Sequence, residues 1–238
     1  MAKKKGPDIM GLAMLDYFHG KQKEDIITYS SISGEDILPL AHLFRNFDQM
    51  PQLEQIALSF ARGKILDIGC GAGIHSLYLQ KKGFDVHAID TSSGAIEVCT
   101  LRGIKKATVI DIFDLKKGKY DTIYTLMNGL GICGKISKLT DFLFHLKSLL
   151  SEKGQIITDS SDLKYMVENE QYFLEKSDQY YGEVVFELFY KLEQGKPFNW
   201  VYVDFDTLKD HANEAGLSCT MLKKGKHYDY LAKLTPKK

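Results

Sequence analysis

Long apolar runs are missing from this chain. No stretch of its 238 residues reaches 18 consecutive apolar side chains, the minimum for a helix that crosses a bilayer, so no membrane partner is expected. Cysteine is scarce. The four residues Cys70, Cys99, Cys133 and Cys219 stand singly, without the close spacing of zinc ligands, and no metal site is expected. Scattered thiols fit a reducing compartment. The start MAKKKGPDIMGLAML has only a brief, glycine-broken apolar run, which argues against a signal peptide; a cytoplasmic location is expected. An excess of one charge is also lacking, with Lys plus Arg and Asp plus Glu at 31 each. Duplex-binding domains usually carry a basic excess, so nothing indicates nucleic acid. The runs Lys3–Lys5 and Lys223–Lys226 read as solvated ends and turns. Repeats and low-complexity linkers are absent.

What is present is an ordinary globular composition, 44% hydrophobic and 26% charged. The length suits one domain with a full core and an added cap. The first sixty residues predict helices. DILPLAHLFRNF sets Ile37, Leu38, Leu40, Ala41, Leu43, Phe44 and Phe47 on a broad apolar face, with Asp36 as cap and Pro39 in the first turn. PQLEQIALSFARG starts on Pro51, ends on Gly63 and aligns Leu53, Ile56, Ala57 and Phe60 on one stripe. From residue 64 strands and helices alternate. Strands are predicted at 64–68, 84–89, 107–110, 120–127 and 154–159, and helices at 73–82, 93–102 and about 137–151. This pitch predicts an α/β fold with a doubly wound, mostly parallel sheet. Beyond it, GEVVFELFYKLEQGKPFNWVYVDF predicts a β-hairpin around QGKP, FDTLKDHANEAGL a helix closed by Gly216, and SCTMLKKGKHYDYLAKL two final antiparallel strands. The expected organisation is an N-terminal helical cap or lid over 1–62 and an α/β domain over 63–238, with the hairpin inserted at about 180–204.

The stretch KILDIGCGAGIHSLYLQ places Gly69, Gly71 and Gly73 directly after the first strand of this sheet. Ligands of such sheets sit at the carboxyl ends of the strands. A dinucleotide site expects Gly or Ala three residues after the second glycine, and Ile74 stands there. Asp67 also disfavours a pyrophosphate, by about 1 kcal/mol or more of like-charge repulsion at 4 Å. A nucleoside ligand with cationic groups and no phosphate, such as S-adenosylmethionine, suits a carboxylate at 67, and the glycines let backbone approach it closely. Asp90 ends the second strand, where a carboxylate can accept both ribose hydroxyls, as it also does in nicotinamide enzymes. Asp111 ends the third strand, placed to accept from an adenine amino group, with the Ile112 N–H directed at a ring nitrogen.

With these residues in place, ILDIGCGAG, HAIDTSSGAIEVC, VIDIFDL and YDTIYTLMNGLG resemble the successive cofactor motifs of class I S-adenosylmethionine-dependent methyltransferases. The resemblance covers about residues 63–160. It implies a seven-stranded sheet of order 3-2-1-4-5-7-6 with strand seven antiparallel, methyl transfer by in-line displacement, and S-adenosyl-L-methionine as cofactor. It implies cofactor roles for Asp67, Gly69, Gly71, Asp90, Asp111 and Ile112, and a wider site that includes Cys70, Gly73, Thr91, Phe113 and Met127. Thr91 departs from the larger apolar residue the family often has against the adenine, and Phe113 is placed to compensate.

Other residues have two readings. Asn128 either orients the methionine end or an acceptor, or caps a turn into Gly129. Arg45, in the apolar AHLFRNF, either reaches the methionine carboxylate or snorkels to solvent. His75 either donates toward a carboxylate or sits exposed in the first helical turn. Tyr180, Tyr181, Trp200 and Tyr202 either line an acceptor pocket or pack the hairpin. No single residue stands out as a general base; Asp159, His19 and the tyrosines all qualify. Neutral charge favours a small-molecule acceptor. A non-catalytic cofactor-binding module and a nicotinamide-dependent oxidoreductase are the alternative readings, the latter disfavoured by Asp67 and Ile74.

Overall fold

The computed structural model describes residues 6–22, 24–166 and 179–237; the Lys3–Lys5 run lies outside them. A seven-stranded sheet forms the centre. It comprises β3 (Lys64–Ile68), β4 (Asp85–Asp90), β5 (Ala107–Val109), β6 (Tyr120–Thr125), β7 (Leu150–Ser161), β11 (Leu217–Lys224) and β12 (Asp229–Pro236). Their order across the sheet is β11-β12-β7-β6-β3-β4-β5. The first five strands run parallel to one another and β12 antiparallel to β7. Renumbered from β3, this is the expected order 3-2-1-4-5-7-6.

Because both faces of the central strands are covered, they are apolar on both sides. On one face Ile65, Val86, Tyr124, Ile157 and Leu231 pack against α3 (Gln52–Ser59) and α4 (Ile74–Lys81). Beside them α5 (Ser93–Leu101) packs through Ile96 and Cys99 onto Ala88. On the other face Leu66, Ile89, Ile123 and Ile156 meet α6 (Leu139–Ser148) and α7 (Phe205–Glu214). Gly216 closes α7 at φ 72°, as the sequence predicts.

The N-terminal segment is not helical throughout. After α1 (Ile9–Phe18), residues predicted helical form strands β1 (Ile26–Ser30) and β2 (Gly34–Leu38), and α2 is short (Leu40–Phe44). Pro39 therefore precedes α2 as its N-cap residue instead of lying within its first turn. The hairpin β1–β2 pairs with β8 (Glu183–Tyr190), giving a second, antiparallel sheet of order β10-β8-β1-β2, with β10 at Phe198–Val201 and a two-residue β9 (Glu193–Gln194). The late hairpin thus exists, but its tight turn lies at Lys191–Leu192, ahead of QGKP, with Lys191 at φ 55°. Ile37 is read wrongly because it continues an apolar helical stripe. In the fold it pairs across a hairpin with Ile27 of β1, and β1 in turn pairs with β8, about 160 positions further along the chain. No helix among the described residues is long and apolar enough to cross a membrane.

Asp8 fastens α1 to the main domain. Its Oδ1 accepts from the Gly11 N–H at 3.0 Å, capping α1. Its Oδ2 accepts from the Gly94 N–H at 3.1 Å and the Ser92 hydroxyl at 2.9 Å, at the start of α5. The helices approach closely because both contact residues are glycines: a Cβ on Gly94 would lie 2.5 Å from the Gly11 Cα. Gly94→Ala is therefore expected to push α1 off α5 and cost about 1–3 kcal/mol, read by urea denaturation, with earlier amide exchange in α1 than in β3.

Candidate active site

The carboxyl ends of β3, β4, β5 and β6 come together at one edge of the large sheet. The loop after β3 carries Gly69, Gly71 and Gly73 at φ 67°, 51° and 78°, a region that L side chains occupy only with strain. At Gly73 a Cβ would lie 2.3 Å from the Ile104 side chain, so this glycine is needed for packing. At Gly71 a Cβ would meet nothing within 4 Å: here the loop faces open space. Cys70 is buried, with its Sγ 3.7 Å from that of Cys99. The Cys99 hydrogen bond and burial push the Cys70 thiol up, which keeps it protonated and inert.

Asp90 joins this loop to the next strand. Its Oδ2 accepts from the Gly71 N–H at 3.0 Å and its Oδ1 from the Ser92 N–H at 2.9 Å. Burial raises its pKa against these bonds. Thr91 beside it is exposed. Asp111 is exposed just beyond β5, where it accepts from the Phe113 N–H at 3.0 Å. That bond closes a single turn over Ile112–Asp114. Ile112 is buried, while the Phe113 ring is partly exposed against Phe142 and His145. Asp90, Thr91, Asp111 and Phe113 thus line up beside the glycine loop on adjacent strand ends.

Asp67 lies lower. It is 2% exposed and its Oδ2 accepts from the Ser76 hydroxyl of α4 at 2.6 Å; burial raises its pKa. Beyond β6 the chain turns through Met127 and Asn128 at φ 60° and 57°, strained for non-glycine residues. The Asn128 N–H donates to Asp159 Oδ2 at 3.0 Å, and its side-chain oxygen accepts from the Ser161 hydroxyl at 3.3 Å.

Arg45 neither snorkels nor stands open to the loop. It is buried, and its Nη2 donates to both Glu54 oxygens at 2.5 and 2.6 Å. Nη1 donates to the His42 carbonyl, and Met127 Sδ lies 3.5 Å from Nη2. His75, buried and not exposed in its first turn, meets Glu54 Oε2 at 2.7 Å. Burial opposes ionisation of Glu54, but the His75 hydrogen bond and the charges of His75 and Arg45 outweigh it and hold the carboxyl below its usual range. Glu54 is not among the candidate residues marked from the sequence. The signal is present: Glu54, Ala57 and Leu58 share one face at helical spacing and all three are buried.

Asp159 is the other acid of this cluster. Burial pushes its pKa up to about 6. Its Oδ1 is enclosed and has no hydrogen-bond partner among the described residues.

A cavity of about 240 Å³ opens between the end of β7 and the small sheet. Ser30, Ser161, Tyr165, Phe186 and Tyr202 are among its lining residues. Of the hairpin aromatics named from the sequence, only Tyr202 lines it. Tyr180 and Tyr181 donate to Asp204 at 2.6 and 3.1 Å, and Trp200 lies over Gly131.

This strand order, with a glycine loop at the first strand and acids at the next two strand ends, defines a Rossmann-like enzyme that handles a nucleoside cofactor. A family profile described as "Methyltransferase domain" matches residues 41–221. The crystal structure of a SAM-dependent methyltransferase from Bacteroides fragilis in complex with S-adenosyl-L-homocysteine is 44% identical, with a TM-score of 0.89 over 97% of this chain and 95% of that one. An uncharacterized methyltransferase of Staphylococcus carnosus is 28% identical over 187 residues, 77% of this chain and 83% of its own. The mitochondrial ubiquinone biosynthesis O-methyltransferase of Schizosaccharomyces pombe is 27% identical over 50% of this chain and 46% of its own. The chain belongs to the class I S-adenosylmethionine-dependent methyltransferases. It is an enzyme, and S-adenosyl-L-methionine is its cofactor.

Two outcomes follow for the buried charges. Glu54→Gln leaves Arg45 enclosed without a counter-charge and is expected to cost about 3–5 kcal/mol in denaturant unfolding. Asp159→Asn should do the reverse. The raised folded-state pKa means that ionised Asp159 opposes folding above pH 6, by about 3 kcal/mol. The variant is expected to gain stability of that order at pH 8, and the gain should shrink towards zero as the pH falls from 6 to 4.

Proposed function

We propose that this methyltransferase acts on a small molecule with an apolar or aromatic body, held in the cavity between the two sheets. The observation that carries this reading is the position of that cavity: Ser161 lines it and also bonds the Asn128 side chain, the first polar group past the end of β6. Tyr165, Phe186 and Tyr202 give it aromatic walls, and serine hydroxyls supply a few orienting bonds, the usual make-up of a small-molecule pocket. The balance of 31 basic against 31 acidic residues offers no field that would gather a polyanion. Relatives whose names specify ubiquinone biosynthesis O-methylation support the same class of acceptor.

In this proposal the cofactor lies along the glycine loop. Gly69, Gly71 and Gly73, with Cys70 between them, give it close backbone. Asp90 accepts from its ribose hydroxyls, Asp111 from its adenine amino group, and the Ile112 N–H donates to the ring, flanked by Thr91 and Phe113. Met127 and Asn128 border its methionine end. Asp67 contributes negative potential from below. Arg45 acts on that end through Glu54 and Met127 and makes no direct ion pair with the cofactor. The cofactor supplies an activated methyl on a sulfonium. What the chain must add is alignment of the acceptor and exclusion of water, worth up to roughly 7–11 kcal/mol when the geometry is right. Residues 1–62 act as a cap that closes the acceptor side, since Ser30 and Ser33 reach the cavity.

The test has two stages. Calorimetric titration with S-adenosylhomocysteine should show binding that Asp90→Ala weakens at least tenfold, as expected for the loss of hydrogen bonds to a charged group. Radiolabelled S-adenosylmethionine should then transfer its methyl to members of a panel of small phenols, hydroxy acids and amines. Transfer only to protein or RNA substrates would overturn the small-molecule reading.

A further inference from the structure

We propose that Asp159 faces the transferring methyl, and that its free Oδ1 accepts the hydrogen bond of the acceptor's reacting O–H or N–H. The inference rests on the cofactor reading above and adds a residue to it.

The two oxygens of Asp159 are not equivalent. Oδ2 accepts from the Asn128 N–H at 3.0 Å, which fixes the carboxyl against the strained turn at Met127–Asn128. Oδ1 is enclosed and meets no donor within hydrogen-bond geometry among the described residues, although the Met127 N–H joins that of Asn128 in favouring the carboxylate. Such an acceptor carries a desolvation cost, and one kept at the carboxyl edge of a catalytic sheet points to a ligand that supplies the donor. The neighbouring acid cannot take that role. Both Glu54 oxygens are occupied, by Arg45 and His75.

Position agrees with this. Asp159 lies two residues before Ser161, a cavity-lining residue, on the strand next to β6. The turn it anchors is the one that follows β6 beside the glycine loop. The carboxyl is thus bonded to the turn beside the glycine loop and is two residues along β7 from the cavity, which it does not itself line. The charged and titratable groups that act on it are Glu54 from α3, His75 from α4, Arg45 behind Glu54, and Tyr230 from β12. Burial, with a smaller contribution from Glu54, pushes its pKa up to about 6, so it is ionised at neutral pH, the state that accepts most strongly.

Sinefungin tests this without a known acceptor, because it carries an ammonium where S-adenosylmethionine carries its methylated sulfonium. Affinities for sinefungin and S-adenosylhomocysteine are measured by calorimetry between pH 5 and 8. The wild-type protein should prefer sinefungin at least about tenfold at pH 7.5, the value of one charge-assisted bond. That preference should fall as the pH drops through 6. In Asp159→Asn it should be near unity and flat with pH, with S-adenosylhomocysteine affinity within about threefold of wild type. A preference that survives in Asp159→Asn, or is absent from wild type at pH 7.5 while both ligands bind, overturns the assignment of Asp159. Failure of both ligands to bind wild type overturns the cofactor reading and the inference with it. Should the variant not fold, the wild-type pH dependence alone decides.

Discussion

A single buried carboxylate, Glu54 of α3, ties the N-terminal segment to the carboxyl edge of the large sheet. It accepts from Arg45, which follows α2, and meets His75, which opens the helix after the glycine loop. Arg45 in turn touches Met127 beyond β6. The buried Arg45–Glu54 ion pair, the Glu54–His75 hydrogen bond and the Arg45–Met127 contact therefore hold three pieces of chain together where water does not screen them. Pairs of this kind add little net stability compared with apolar packing, because desolvation opposes them. What they do is fix geometry: Arg45 and His75 each require the same partner in one place. The N-terminal segment, the glycine loop and the turn after β6 are consequently set relative to one another by the chain itself.

The same logic holds the glycine loop. Backbone at positive φ is free to move unless something engages its N–H groups. Here Asp90 takes the Gly71 N–H with one oxygen and the Ser92 N–H with the other. Asp8 then draws α1 onto the start of α5, one residue further along. The loop is thus organised from both sides, and a ligand that binds it loses little free energy in ordering it. Catalysis by alignment depends on such preorganisation, since the reactive methyl is activated before it reaches the protein.

Against this well-satisfied frame, the few groups left without partners stand out. Arg45 Nε, Thr125 Oγ1 and Asp159 Oδ1 are enclosed and unbonded among the described residues. All three belong to segments at the carboxyl edge of the sheet or packed on it. An acid whose burial pushes its pKa up to about 6 at this edge lowers stability at neutral pH, a cost of the kind found at functional sites.

The sequence by itself determined the large sheet, because its evidence is local. Strand-helix alternation, glycines at strand ends and acids in register are readable residue by residue, and the parallel order follows from right-handed crossovers. The same local chemistry marked Gly71 and Asp90 and placed Asp111 at its strand end. The second sheet was decided only by tertiary structure. β1 and β2 are five residues each and half exposed, so their pattern is weak, and the hairpin they form becomes part of a sheet only through β8, which pairs with β1 from far along the chain. For the same reason the sequence marked Arg45, His75 and Asp159 singly but not the cavity, the meeting of Arg45 and His75 on Glu54 or the uncommitted oxygen of Asp159. A buried charge is defined by what surrounds it, and its surroundings come from three or four distant segments brought together by the fold.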